Sequence, residues 1–184
     1  MKRELLVMLT LVSVVACSST DDEVPEQVFK GEQLIQPMPL PGGTWERFIY
    51  TYPDAKRINW GLVGKKDVLE VVEFFGEELG DLAAYRMRQD KADAAKCASF
   101  ESELLDTVVR NGYQEMLWQT QCVELETERS LFSYHLSISG HDSFFVLSRR
   151  WPYMPKQSSK NAWLDYFSDV MLCDDRLEAR PCPY

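Results

Sequence analysis

The clearest alternation of apolar and polar positions runs from Phe132 to Ile138. Phe132, Tyr134, Leu136 and Ile138 fall on one side, and Ser133, His135 and Ser137 on the other. A period of two predicts a strand with one buried and one wetter face. Ser139-Gly140-His141-Asp142 predicts a turn. The return strand, Ser143 to Arg149, would set Phe145 opposite Leu136 and Leu147 opposite Tyr134. A second hairpin is marked by Asn111-Gly112, a two-residue turn signal. Pairing around it sets Thr107 opposite Met116 and Leu105 opposite Trp118, and carries the same face on to Cys122, whose facing strand lies near residue 101. Earlier, Phe48, Tyr50 and Tyr52 alternate with Ile49 and Thr51 as a strand that stops at Pro53-Asp54.

Elsewhere the period changes. Val68, Val71, Val72, Phe75, Leu79 and Leu82 sit at helical spacing, but Gly76 and Gly80 interrupt them, each costing about 1 kcal/mol in a helix interior. This predicts one short apolar segment, with a strand as one option for it, followed by a helix from about Asp81 to Ala95. Trp163, Tyr166, Phe167 and Val170 form the stripe of a helix over Asn161 to Leu172, with Ser159 or Asn161 as its cap. These elements predict an α+β fold: an antiparallel sheet built of hairpins and packed against two or three helices.

The chain opens differently. Lys2 and Arg3 precede twelve mostly apolar residues, Leu5 to Ala16, and then Cys17. Twelve residues are too few to cross a hydrocarbon core, which needs about 20, but they suit an export signal. Val14-Val15-Ala16-Cys17 resembles the lipobox of bacterial lipoproteins, with Glu4 and Val15 as departures from the usual pattern. The resemblance implies cleavage before Cys17 and its acylation, including a palmitate-type chain. Each buried CH₂ adds about 0.8 kcal/mol to anchoring. Ser18 and Ser19 follow, with no Asp next to the cysteine, which by the family's sorting rule implies the outer membrane of a Gram-negative bacterium, periplasmic side. Residues 18–43, with Pro25, Pro37, Pro39 and Pro41, read as an extended tether. Its Leu34, Ile35, Met38 and Leu40 offer an alternative role as a partner-binding strip. One globular domain would then occupy residues 44–184.

Charge and cysteines narrow this further. With Lys2, Arg3 and Glu4 removed, 18 basic residues face 28 acidic ones, a net charge of −10. An acidic chain without a basic cluster argues against nucleic acid and against anionic lipid binding by the protein surface, leaving the acyl group as the membrane contact. Beyond Cys17 four cysteines remain: Cys97, Cys122, Cys173 and Cys182. An even number in an exported chain reads as disulfides. The Asn111-Gly112 register brings Cys122 near Cys97, and Cys173–Cys182 would pin the carboxy terminus to the last helix. No CxxC or paired Cys/His spacing points to zinc.

The sequence holds no Gly-rich phosphate loop, no nucleophile elbow and no HExxH. His141-Asp142-Ser143 are adjacent turn residues and cannot orient one another as a triad requires. Glu77-Glu78 and Glu124, Glu126 and Glu128 read as acidic surface. Asp174-Asp175 is the nearest thing to a calcium loop, and Arg149-Arg150-Trp151 reads as a strand end or an exposed cation–aromatic patch. Asn111-Gly112-Tyr113 with Cys122, Gly140 with Asp142-Ser143 and Phe145-Val146-Leu147, and Val170 to Arg176 with Pro181-Cys182-Pro183 together resemble a group of uncharacterised proteobacterial exported proteins over residues 97–184. The resemblance implies a small disulfide-stapled α+β domain and brings no activity, cofactor or site residue. The functional expectation is a non-enzymatic accessory or scaffold subunit of an envelope protein assembly; the alternative is a binding module for a small apolar or peptide ligand held between sheet and helix.

Overall fold

The computed structural model describes residues 31–75, 81–176 and 182. Among these residues nine strands and two helices follow one another as β1 (Glu32–Ile35), β2 (Trp45–Thr51), β3 (Ala55–Leu62), β4 (Val68–Phe75), α1 (Leu82–Ala94), β5 (Cys97–Arg110), β6 (Tyr113–Glu124), β7 (Ser130–Ser139), β8 (Ser143–Trp151), α2 (Gln157–Asp169) and β9 (Met171–Asp174). Two antiparallel meanders, β2-β3-β4 and β5-β6-β7-β8, join where β4 pairs with β8. The result is a seven-stranded sheet in the order β2-β3-β4-β8-β7-β6-β5. Strands β1 and β9 form a separate antiparallel pair, Glu32 opposite Asp174 and Ile35 opposite Met171.

Both faces of the sheet are covered near its middle. On one, Trp163, Tyr166, Phe167 and Val170 from α2 and its end share a core with Leu69, Val71, Phe132, Tyr134, Leu136, Phe145, Leu147 and Trp151. On the other, Leu82 of α1 joins Met116, Trp118, Phe144 and Val146, with Tyr85 packed beside them. The fold is thus largely β with two helices, consistent with the α+β expectation.

Several local expectations hold. Asn111 (φ 50°) and Gly112 (φ 77°) make the left-handed turn that their types favour, and Thr107 faces Met116. A bulge between Leu104 and Asp106 then moves Leu104, not Leu105, opposite Trp118. Both disulfides form: Cys97–Cys122 with Cα atoms 5.6 Å apart, and Cys173–Cys182 with Cα atoms 5.0 Å apart. Helix α1 begins at the expected Asp81, whose carboxylate accepts from the Ala84 amide at 2.6 Å.

The short apolar segment ahead of α1 is strand, residues 68–75, in agreement with the strand option; with both sheet faces covered, apolar side chains occur on both sides and imitate helical spacing. Other expectations are corrected. The β7–β8 turn closes around His141-Asp142, with the Gly140 amide donating to the Ser143 carbonyl at 2.9 Å. Leu136 therefore faces Leu147, and Ile138 faces Phe145. The slip is two residues, so every side chain keeps its expected face. Helix α2 starts earlier, after Lys156 and without a side-chain cap, and stops at Val170, whose ψ of 133° is extended. Leu172 is taken into β9 instead. Residues 31–43, expected within the tether, belong to the folded body: β1 pairs with β9, and Leu40 is in the core. The signal run, Cys17 and residues 18–30 of the expected tether lie outside the described residues, as do Glu77-Glu78.

Candidate functional site

Helix α1 packs on one face of the sheet and leaves a gap beside its carboxy-terminal end. There a cleft of ≈ 670 Å³ opens between α1, the start of β5, the far half of β6 and the start of β7. That volume lies in the usual range for small-ligand sites. Its apolar wall is made by Phe100, Leu125, Leu131 and the Cys97–Cys122 disulfide; its rim carries Lys96, Arg129 and Arg150 against Asp93, Glu124 and Glu126. The cations are partnered within the chain: Lys96 with Asp93 at 3.5 Å, Arg129 with Glu124 at 3.0 Å, and Arg150 with Glu70 at 3.1 Å.

His135 closes the floor. It was expected on a wetter face, but α1 covers that face and the ring is buried. The hydroxyls of Ser148 and Thr120 bond its two ring nitrogens, at 2.9 Å from Nδ1 and 3.2 Å from Nε2. Trp118 stacks on the ring with centroids 4.9 Å apart. A hydroxyl can donate or accept, so neutral imidazole is satisfied in either tautomer. Desolvation, helped by Arg150, drives the His135 pKa from 6.5 down to about 3.

The remaining sequence candidates are placed elsewhere. The Arg149 guanidinium is enclosed rather than exposed. Its central carbon lies 5.1, 3.9 and 4.9 Å from the ring centroids of Trp45, Trp151 and Trp163, and it meets the buried Asp67 at 2.6 Å. The Tyr153 hydroxyl donates to the same carboxylate at 3.0 Å. This aromatic cage is filled by the protein's own cation.

Asp174 and Asp175 do not converge. Asp174 holds Arg176 at 2.7 Å, and Asp175 accepts from the Cys182 amide and from Gln33, both at 3.1 Å. Among the described residues no group of three or more acidic, His or Cys side chains is arranged to hold a metal.

The residues that carry the family resemblance gather mostly at one end of the sheet. Glu32 accepts from three successive amides of the β7–β8 turn, His141 at 2.5 Å, Asp142 at 2.9 Å and Ser143 at 3.1 Å. A Cβ at Gly140 would run into Glu32 and the Ser143 carbonyl. Asp142 pairs with Arg176, and Asn111 donates to the Leu172 carbonyl at 2.9 Å. These contacts fasten β1 and β9 to the turns at that end of the sheet. The cleft residues Phe100, Leu131 and Thr120 carried no signal in the sequence; the sole hint was that Cys97 and Cys122 would meet.

No protein-family model and no curated protein matches the chain. Among solved structures, the chain is similar to PA94 of Pseudomonas aeruginosa, a protein of unknown function, at 14% identity and a TM-score of 0.39, over 83% of this chain and 99% of that one. Among the described residues no helix is long and apolar enough to cross a membrane.

Proposed function

We propose that this chain is a lipoprotein of the Gram-negative outer membrane, acylated on Cys17 and facing the periplasm, whose domain is a non-enzymatic binding module within an envelope assembly. The carrying observation is the ≈ 670 Å³ cleft beside α1. Its apolar wall and partnered ionic rim suit a short peptide or small amphipathic molecule, one with an apolar part for Phe100 and Leu131 and polar groups for the rim. His135 supports recognition rather than proton transfer, since both ring nitrogens are taken up by hydroxyls. A second reading, the scaffold subunit, is favoured by a different feature: six of the seven residues of edge strand β2 are exposed.

The ligand reading is tested by native mass spectrometry of protein extracted from membranes. A retained small ligand or peptide, lost in Phe100→Arg and Leu131→Arg variants that keep their melting temperature, is expected. Ligand-free protein from the native envelope, with one protein partner crosslinked at fixed stoichiometry, would replace this reading by the scaffold. The anchor is tested separately. Cys17→Ser should move the protein to the soluble periplasmic fraction, and continued tight membrane association would sink the acylation claim.

A further inference from the structure

The β2–β3 hairpin is held to the core through Trp45, Ile58 and Trp60, with Trp45 against Trp163 of α2 at 5.7 Å; beyond these residues it is a wing of exposed side chains. Phe48, Ile49, Tyr50 and Tyr52 are each between 45 and 50% exposed, and Val63 is 52% exposed. Register places Phe48 and Tyr50 on one face, opposite Asn59 and Arg57, and Ile49 on the other, opposite Ile58. The charge here differs from that of the rest of the molecule. Residues 44–66, the hairpin and the β3–β4 turn after it, hold Arg47, Lys56, Arg57, Lys65 and Lys66 against Glu46 and Asp54, a net of +3 of which the turn's Lys65 and Lys66 supply two, so the remainder of a chain cleaved before Cys17 carries −13. Arg57 is paired with Glu70 at 3.4 Å, while Lys65 and Lys66 are exposed. The summed charge conceals this segment, and the sequence-level argument against lipid contact does not apply to it. The opposite edge of the sheet differs in kind: β5 is bulged and bears Glu101, Glu103 and Asp106.

We infer that the β2–β3 wing is a membrane-docking surface that lies at the headgroup level of an anionic bilayer, with Phe48, Tyr50 and Tyr52 among the headgroups and Lys65 and Lys66 of the following turn paired with lipid phosphates. Aromatic side chains with one polar end favour this depth, and basic residues near an anionic surface add attraction that salt screens. The outer edge of β2 carries backbone groups that need hydrogen-bonding partners. Headgroups and interfacial water provide them, whereas hydrocarbon would not.

The position of the chain's entry point agrees. Glu32 is bonded to Ser143, Ser143 pairs with Phe75, and the Phe75 amide donates to the Asp54 carbonyl in the β2–β3 turn at 2.9 Å. The amino-terminal segment and the wing tip thus share one end of the sheet. Residues 17–30 can span at most about 46 Å, which keeps a domain acylated at Cys17 within reach of the bilayer. The tether's part rests on the lipoprotein reading; the wing's own affinity does not.

The experiment therefore uses the unacylated chain from residue 18 onward, folded under oxidising conditions. Both cores and both disulfides lie within residues 34–182. Flotation with vesicles of phosphatidylcholine alone is compared with vesicles containing phosphatidylglycerol. Binding to the anionic vesicles only, weakening at least tenfold from 0.1 to 0.5 M salt, is expected. Lys65→Glu with Lys66→Glu, and separately Phe48→Ser with Tyr50→Ser, should each reduce it at least tenfold. All four positions are exposed, so folding is checked by an unchanged melting temperature. No preference for anionic vesicles, or equal binding by folded variants, would overturn the inference. So would the absence of vesicle binding together with self-association that the same substitutions abolish, which would make the wing a protein interface.

Discussion

His135 and Glu115 respond to pH with opposite signs, and each can be isolated by one substitution. Burial holds the His135 pKa near 3 in the folded protein, while in the unfolded chain it returns to about 6.5. Below pH 6.5 the unfolded state therefore binds a proton that the folded state refuses, and stability falls as pH drops from 6.5 toward 3. At pH 5 the loss is about 2 kcal/mol. Glu115 is also buried, with Arg110 at 3.2 Å. Desolvation outweighs that partner and raises its carboxyl from 4.5 to about 7. Here the folded state holds the extra proton, so this contribution is greatest below pH 4.5 and disappears as pH rises through 7; its full size is about 3 kcal/mol. Denaturant midpoints should show His135→Gln flattening the loss between pH 7 and 5. Glu115→Gln should flatten the loss between pH 5 and 8. Variant and wild-type profiles that run parallel would contradict these assignments. Neither response was legible in the sequence. The alternation placed His135 on the correct face, but only α1 lying over that face makes it buried, and Glu115 stands in a strand whose outward appearance gave no sign of Arg110 beside it.

At the scale of elements, the sequence showed those held by local chemistry and hid those held by distant partners. Asn111-Gly112 and Asp81 mark a turn and a cap within a few residues of where they act, and both stand where expected. Strands β1 and β9 have four residues each and pair across some 140 positions, so no local pattern announces either one. The Leu104–Asp106 bulge and the two-residue shift of the β7–β8 turn are set by the sheet as a whole; the shift preserves the faces that alternation had assigned, whereas the bulge exchanges them in β5 before Asp106. What holds β1 in place is the Glu32 carboxylate on the turn amides. Glu32→Ala leaves those three donors without their acceptor, and charge-assisted bonds of this kind are worth about 1.5–3 kcal/mol each where they are not replaced by water. The expected outcome is a loss of about 2–4 kcal/mol, together with faster amide exchange at His141 to Ser143 and along Met171 to Asp174. Unchanged exchange in β9 would show that the Cys173–Cys182 staple and Leu172 hold that end without Glu32.

The seven-stranded sheet carries a separate apolar cluster on each face, and this sets how it must unfold. Leu82 covers one cluster and Phe167 the other, and both are nearly fully buried. The strands between them are shared: β6 supplies Met116 and Trp118 to one face and packs Leu117 against the other, while β8 supplies Phe144 and Val146 to one and Phe145 and Leu147 to the other. Neither cluster can be lost without disturbing the backbone that carries its counterpart. Leu82→Ala should cost about 2–5 kcal/mol and Phe167→Ala about 3–5 kcal/mol, each lowering the midpoint of a single transition that far-ultraviolet circular dichroism and tryptophan fluorescence report together. Trp118 and Trp163 stand on opposite faces, so fluorescence sees both. Two separated transitions in either variant would mean that α1 and its cluster unfold on their own, and that the walls of the cleft are not fixed by the rest of the sheet. A single transition makes the cleft and the wing parts of one cooperative unit, so that a substitution which loosens either cluster lowers the stability of both.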